Sequence, residues 1–169
     1  MRISLIAAMT PGRVIAGPGG GIPWDLPRDR AHFRAYTSGK WMLVGRKTYE
    51  EMEGWFGNRT PLILTRDPSF VAPVPSHRVV GSIFEAIELA KRNGIGELVI
   101  SGGAEVYETA LPYADRLVLT TVETEIESDI HFPECRDPEN WTAIHREVWP
   151  SDEENDFEII LQILDRKSR

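Results

Sequence analysis

Six short apolar runs, at residues 3–9, 41–44, 61–65, 78–80, 98–101 and 117–122, constrain this chain more than any other feature. Each is rich in Val, Ile, Leu or Thr and too short for a helix that buries a face, which is the pattern of strands covered by protein on both sides. The intervening stretches carry helical spacing. They lie at 26–37, at 46–53, at Ile83–Arg92 with Ser82 as N-cap and Asn93-Gly94 as stop, and at 104–111 ahead of Pro112. Strands alternating with helices predict an α/β fold with a central, mostly parallel sheet and helices on both faces. The tail breaks the alternation. Two extended stretches, 142–148 and 157–164, flank the polar turn Pro150-Ser151-Asp152-Glu153-Glu154-Asn155, which predicts an antiparallel C-terminal hairpin closing one edge of the sheet. Strand order does not follow from this pattern.

A length of 169 residues with 41% hydrophobic content suits a single domain over 1–169, with no repeat, linker or low-complexity tract. The net charge of −7 argues against a nucleic-acid partner, since phosphate neutralisation needs a surplus of Lys and Arg. Cys135 is the sole cysteine, which excludes an internal disulfide or a thiolate metal cage and points to a reducing, cytoplasmic setting. The run 3–9 is too short to span a bilayer and meets Thr10-Pro11-Gly12 at once, so no membrane segment or leader is expected. His32, His77, His131 and His145 are scattered without ligand spacing, and no metal site is expected. The simplest assembly is a monomer.

Three segments carry candidate chemistry. The first, Ala16-Gly17-Pro18-Gly19-Gly20-Gly21-Ile22-Pro23-Trp24, joins a flexible glycine run to two large apolar residues, the composition of a lid that covers a ligand and excludes water. In the second, Pro27 suits a first helical turn, and Leu26, Asp29, Phe33 and Tyr36 fall on one stripe. A carboxylate in such a stripe sits among apolar neighbours, which raises its pKa. An acidic residue supporting a helix N-terminus satisfies the same spacing, so spacing alone leaves the role of Asp29 open. The third is a pair of turns. Gly45-Arg46-Lys47-Thr48 and Ser101-Gly102-Gly103-Ala104 each follow a strand and open a helix, where backbone N–H groups can receive phosphate. Two such turns suit a dinucleotide, although the full G-x-G-x-x-G fingerprint is absent.

Read together, these segments resemble the bacterial dihydrofolate reductases over nearly the whole chain. The likeness rests on the ordered series Ile3-Ser4-Leu5-Ile6-Ala7-Ala8, Ile22-Pro23-Trp24-Asp25-Leu26-Pro27-Arg28-Asp29, Phe33, Val44-Gly45-Arg46-Lys47-Thr48-Tyr49-Glu50, Arg59, Ser101-Gly102-Gly103-Ala104-Glu105-Val106-Tyr107 and Asp129-Ile130-His131-Phe132-Pro133. It implies reduction of dihydrofolate to tetrahydrofolate by hydride from NADPH, in support of one-carbon metabolism and as a target of antifolates. It also implies that Asp29 accepts two hydrogen bonds from N3 and the 2-amino group of the pteridine, with Thr120 supporting the carboxylate and Trp24 holding a water nearby. Proton delivery to N5 then falls to a water. Ile22 would pack on both rings, with Ile6, Ala7 and Ala8 giving backbone contacts. Phe33 and Met52, with Phe56 as a further candidate, would wall the aminobenzoyl ring, and Arg59 would bind the glutamate carboxylate.

For the cofactor, the resemblance assigns Arg46, Lys47, Thr65 and Arg66 to the 2′-phosphate, and Thr48, Gly102 and Gly103 to the pyrophosphate, with a cis peptide between the two glycines. Ala8, Ile15, Ile22, Gly45, Ser101 and the run Ala104-Glu105-Val106-Tyr107 complete its contacts, and Asp129 would steady the closed lid. Three departures stand out: the lid is one residue longer and richer in glycine than the commonest pattern, Ser101 replaces an Ile, Val or Ala, and the turn 150–155 is shortened. Rival readings are a reductase of another heterocycle, a non-catalytic nucleotide module and a scaffold. Asp29 with Arg59 argues against the first, acid plus lid against the second, and the lack of repeats against the third.

Overall fold

All six apolar runs become strands in the computed structural model, which describes residues 1–168. The chain runs β1 (Arg2–Met9), α1 (Pro27–Thr37), β2 (Trp41–Gly45), α2 (Arg46–Glu51), β3 (Thr60–Leu64), β4 (Arg78–Val80) and α3 (Ile83–Arg92). It continues through β5 (Glu97–Ile100), α4 (Ala104–Ala110), β6 (Arg116–Val122), β7 (Trp141–Trp149) and β8 (Ile159–Arg166). One eight-stranded sheet results, in the order β4-β3-β2-β5-β1-β6-β8-β7. Its members from β4 to β6 are parallel, while β8 runs antiparallel between β6 and β7. The expected hairpin therefore closes the edge, with its second strand inside the sheet and its first outermost.

Strand side chains alternate between faces, and that alternation splits the core into layers. Ile3, Leu5 and Ala7 of β1, Leu98 and Ile100 of β5, and Leu117 and Leu119 of β6 pack with Ile83, Ala86, Ile87 and Ala90 of α3 and Val106, Tyr107 and Ala110 of α4. The intervening residues Ile6, Met42, Val99 and Val118 meet Phe33 and Tyr36 of α1 on the opposite face. Beneath α1 lies a polar knot. Glu97 accepts hydrogen bonds from fully buried Ser4 (2.6 Å) and from the Tyr36 hydroxyl (2.6 Å), and pairs with Lys40 at 2.7 Å. Every member thus has a partner, as buried polar groups require.

Element ends follow local chemistry. Ser82 caps α3 by accepting from the Glu85 backbone N–H at 3.1 Å. The helix expected over 46–53 stops at Glu51, because Met52 leaves helical geometry and Gly54 turns the chain at φ +79°. The strand expected over 157–164 starts instead at Ile159, while Phe157 packs against Leu26, Val122 and Ile159. The edge strand β7 is exposed over most of its length and is protected from further pairing by a register break between Ala143 and His145 and by charged Arg146 and Glu147.

Candidate active site

Parallel strands open their carboxyl ends to one side, and a crevice forms where neighbouring connections leave in different directions. Here β5 lies between β2 and β1, and a cleft of about 1310 Å³ opens over the ends of these strands. Its wall brings together Ile6, Ala7, Ala8, Ile15, Ile22, Asp29, Phe33, Met52 and Thr120, and also Gly45 to Thr48, Thr65, Arg66 and Ser101 to Tyr107. Two residues expected at the site, Trp24 and Arg59, stand outside this wall.

Asp29 enters from the first turn of α1, where the Thr120 hydroxyl of β6 favours its ionised carboxylate. Burial pushes the Asp29 pKa up from 3.8 to about 6, with Thr120 pulling the other way. Desolvation outweighs the hydroxyl because one hydrogen bond restores only part of what water gave the charge. The Tyr107 hydroxyl donates to the Ile6 carbonyl at 2.6 Å; burial, then the charge of Asp29, drives its pKa upward. It stays a neutral donor. Trp24 packs behind α1 beside Leu26, and its indole N–H is buried without a protein acceptor.

The lid folds on itself: the Gly17 N–H donates to Gly21 O (3.0 Å) and the Gly20 N–H to Gly17 O (2.9 Å), with Gly20 and Gly21 at φ +88° and +76°. Ile22 stands at the cleft mouth, 69% exposed. Asp129, expected to steady the lid, makes no hydrogen bond or ion pair with it among the described residues. It lies beside Arg13, Glu105 and His131, near the lid's root, where Ile15 donates to Ile130 O at 3.0 Å.

At the other end of the cleft, Phe33 and Trp55 face each other with ring centroids 5.2 Å apart, and Met52 adjoins them. Phe56, the further candidate for this wall, is buried beneath it, stacked on Tyr49 at 5.3 Å, so its neighbour Trp55 takes the surface position. Arg59 spans Trp55 at 4.2 Å and donates to Thr37 Oγ1 (2.8 Å) and Arg34 O (2.7 Å). These acceptors are neutral, and no carboxylate pairs with Arg59 among the described residues. Its charge is positioned but uncompensated, which suits an anionic ligand group.

The two glycine turns interlock. The Gly45 N–H donates to Gly102 O at 2.8 Å, and the Gly102-Gly103 peptide is cis. A Cβ at Gly45 would lie 3.2 Å from Val106 Cγ2, and one at Gly103 would lie 3.3 Å from Thr48 Oγ1, so only glycine leaves this cradle open. No side chain caps the first turns of α2 and α4, whose backbone N–H groups remain available to a diphosphate. Three cations ring the outer end. Arg46 pairs with Glu50 and Asp67 (3.0 Å each) and Arg66 with Glu105 (2.6 Å), whereas Lys47 has no carboxylate partner among the described residues. A phosphorylated dinucleotide fits these donors.

Sequence reasoning missed Trp55, His32 and Arg34 on the cleft wall. Trp55 was within reach of inspection, since it falls three residues beyond Met52 in a turn rich in aromatics.

Comparison with known proteins agrees over the full length. The family model described as dihydrofolate reductase matches residues 2–166. The dihydrofolate reductase of Bacillus subtilis is 35% identical over 166 residues, covering 98% of this chain and 95% of that protein. That of Haemophilus influenzae is 35% identical over 170 residues, covering 99% and 100%. A solved structure of dihydrofolate reductase from Enterococcus faecalis, complexed with NADP(H) and RAB-propyl, superposes with a TM-score of 0.88 at 29% identity, covering 99% of this chain and 97% of that one.

Proposed function

This chain belongs to the dihydrofolate reductase family and reduces dihydrofolate to tetrahydrofolate with NADPH, and from that premise we propose how its own residues divide the work. The observation that carries the reading is Asp29, a shielded carboxyl backed by Thr120 in the wall of a large cleft. Asp29 grips the pteridine through N3–H and the 2-amino group, a pair of donors that favours its ionised form and offsets the burial cost. Ile6, Ala7 and Ala8 supply backbone contacts to the rings, and Ile22 closes over them to exclude water. Phe33, Met52 and Trp55 enclose the aminobenzoyl group, and Arg59 takes the glutamate carboxylate.

The glycine cradle, the open first turns of α2 and α4, and Lys47 are suited to hold NADPH. Thr48, Gly102 and Gly103 receive its diphosphate, and Arg46, Lys47, Thr65 and Arg66 its 2′-phosphate. Ile15, Gly45, Ser101, Ala104, Glu105, Val106 and Tyr107 line the rest of its path. When bound, NADPH supplies the hydride. Asp29 makes the ring readier to accept a proton at N5, and the unpartnered indole N–H of Trp24 suits a water that completes the transfer. The enzyme acts as a monomer of one domain in the cytoplasm; among the described residues no helix is long and apolar enough to cross a membrane.

The decisive test is consumption of NADPH by the purified protein on addition of dihydrofolate. Wild type should turn over and Asp29→Asn should lose at least about a hundredfold in the chemical step at neutral pH, the scale of a lost acid–base and binding group. Near-normal turnover of Asp29→Asn would refute the assignment.

A further inference from the structure

Helix α1 lacks a local cap: its N-cap is Leu26, whose side chain can accept nothing. The missing acceptor comes from the far end of the chain. Asn155, only 5% exposed, turns its Oδ1 to the Arg28 backbone N–H at 3.1 Å. Its orientation is locked, because its Nδ2 and its own N–H donate to Asp152 Oδ1 at 2.9 and 2.8 Å. The Arg28 guanidinium returns the clasp by donating to Pro150 O at 3.0 Å and to the Asp152 carboxylate. The residue after Arg28 is Asp29.

We infer that Asn155, locked by Asp152 in the β7–β8 turn, is a positioning residue that sets the place of Asp29 against the substrate by capping α1 from outside it. This rests on the assignment of Asp29 to the pteridine. The other support of Asp29 leads to the same hairpin, since Thr120 pairs with Leu161 of β8. On α1 itself His32 stacks edge-on to Trp149 at 6.2 Å, and Leu26 packs with Ile159. The hairpin thus touches the helix on both sides of its acid. Removing the cap frees the first turn, lets Asp29 meet water and misplaces its two acceptor oxygens, while the glycine cradle for NADPH lies at other strand ends and is untouched.

The test compares wild type, Asn155→Ala, Arg28→Gln and Asp29→Asn. Asn155→Ala should raise KM for dihydrofolate about five- to tenfold, the scale of a lost N-cap, and leave KM for NADPH within about twofold. The pH midpoint of kcat/KM for dihydrofolate, which reports groups of the free enzyme, should shift down toward the ordinary carboxylate range. The groups that interact with Asp29 are Thr120 of β6 and Tyr107 of α4, whereas His32, one turn further along α1, interacts with Glu147 and His145 of β7. If Asn155→Ala lowers only the melting temperature, or raises both KM values alike, Asn155 is merely structural and the inference fails. Should Asn155→Ala not fold, Arg28→Gln, which weakens the clasp alone, must show the same split between the two KM values or the inference fails. Inactive wild type or active Asp29→Asn would instead overturn the assignment of Asp29.

Discussion

Replacing Asp29 by Asn should make the ligand-free protein more stable while disabling it. The Asp29 carboxyl titrates near 6 in the fold against 3.8 as an unperturbed group. A folded pKa above the unfolded one means that folding takes up a proton, so stability grows as pH falls from 6 toward 3.8 and a fixed penalty remains above 6. Two pKa units correspond to about 3 kcal/mol at pH 7, about half that at pH 5 and under about 1 kcal/mol at pH 4. Asn carries no charge to bury and keeps an oxygen for the Thr120 hydroxyl, so Asp29→Asn should recover most of this difference. With an m-value of about 2 kcal/mol per molar urea, the unfolding midpoint should rise by about 1 M or more at pH 7 and by clearly less at pH 5. Intrinsic fluorescence of the five tryptophans reports the transition. Saturating dihydrofolate should reverse the order, because it binds the carboxylate form and stabilises wild type by mass action. An Asp29→Asn midpoint equal to or below wild type at pH 7, or a gap that does not change between pH 7 and pH 5, would refute the claim that desolvation dominates at this carboxyl.

Glu97 should show the opposite sign. Burial would raise its pKa, but Lys40, Ser4 and Tyr36 together hold it lower, so its contribution is present above its unfolded value and lost as pH falls through the folded one. Glu97→Gln should destabilise by about 1–3 kcal/mol at pH 7, with the gap closing in acid when urea midpoints are compared down to pH 3.5. Lys47→Gln should raise KM for NADPH about tenfold, the scale of one charge-assisted bond to phosphate, and leave that for NADH unchanged in steady-state assays. Gly45→Ala forces Val106 or the Gly102-Gly103 turn to move; calorimetry should register a loss of about 1–3 kcal/mol, and KM for NADPH should rise more than KM for dihydrofolate.

The periodicities exposed in the sequence were those that act locally. Runs of Val, Ile and Leu marked each parallel strand, and Ser82 with Asn93-Gly94 bounded α3, because these signals are read within a few residues of where they operate. Insertion of β5 between β1 and β2 left no such mark, since it depends on how α3 and α4 cover one face together. Asp29 was visible as an acid in an apolar stripe, but its purpose came from likeness to a family. The positions that escaped notice share one cause. Trp55 displaced Phe56 from the cleft wall through the geometry of a turn, and Asn155 reaches a helix 127 positions away; neither relation has a period or a spacing to detect.

The position of β8 within the sheet has a bearing on how the protein comes into being. Until residues 159–166 leave the ribosome, β6 has a bare flank with Thr120 on it, and the place meant for β8 is open to any stray extended segment. The nascent chain is therefore at its stickiest after β6 has emerged and before β8 has. Arg116, waiting on that flank for the two oxygens of Asp165, is the charge that discourages the wrong guest and welcomes the right one.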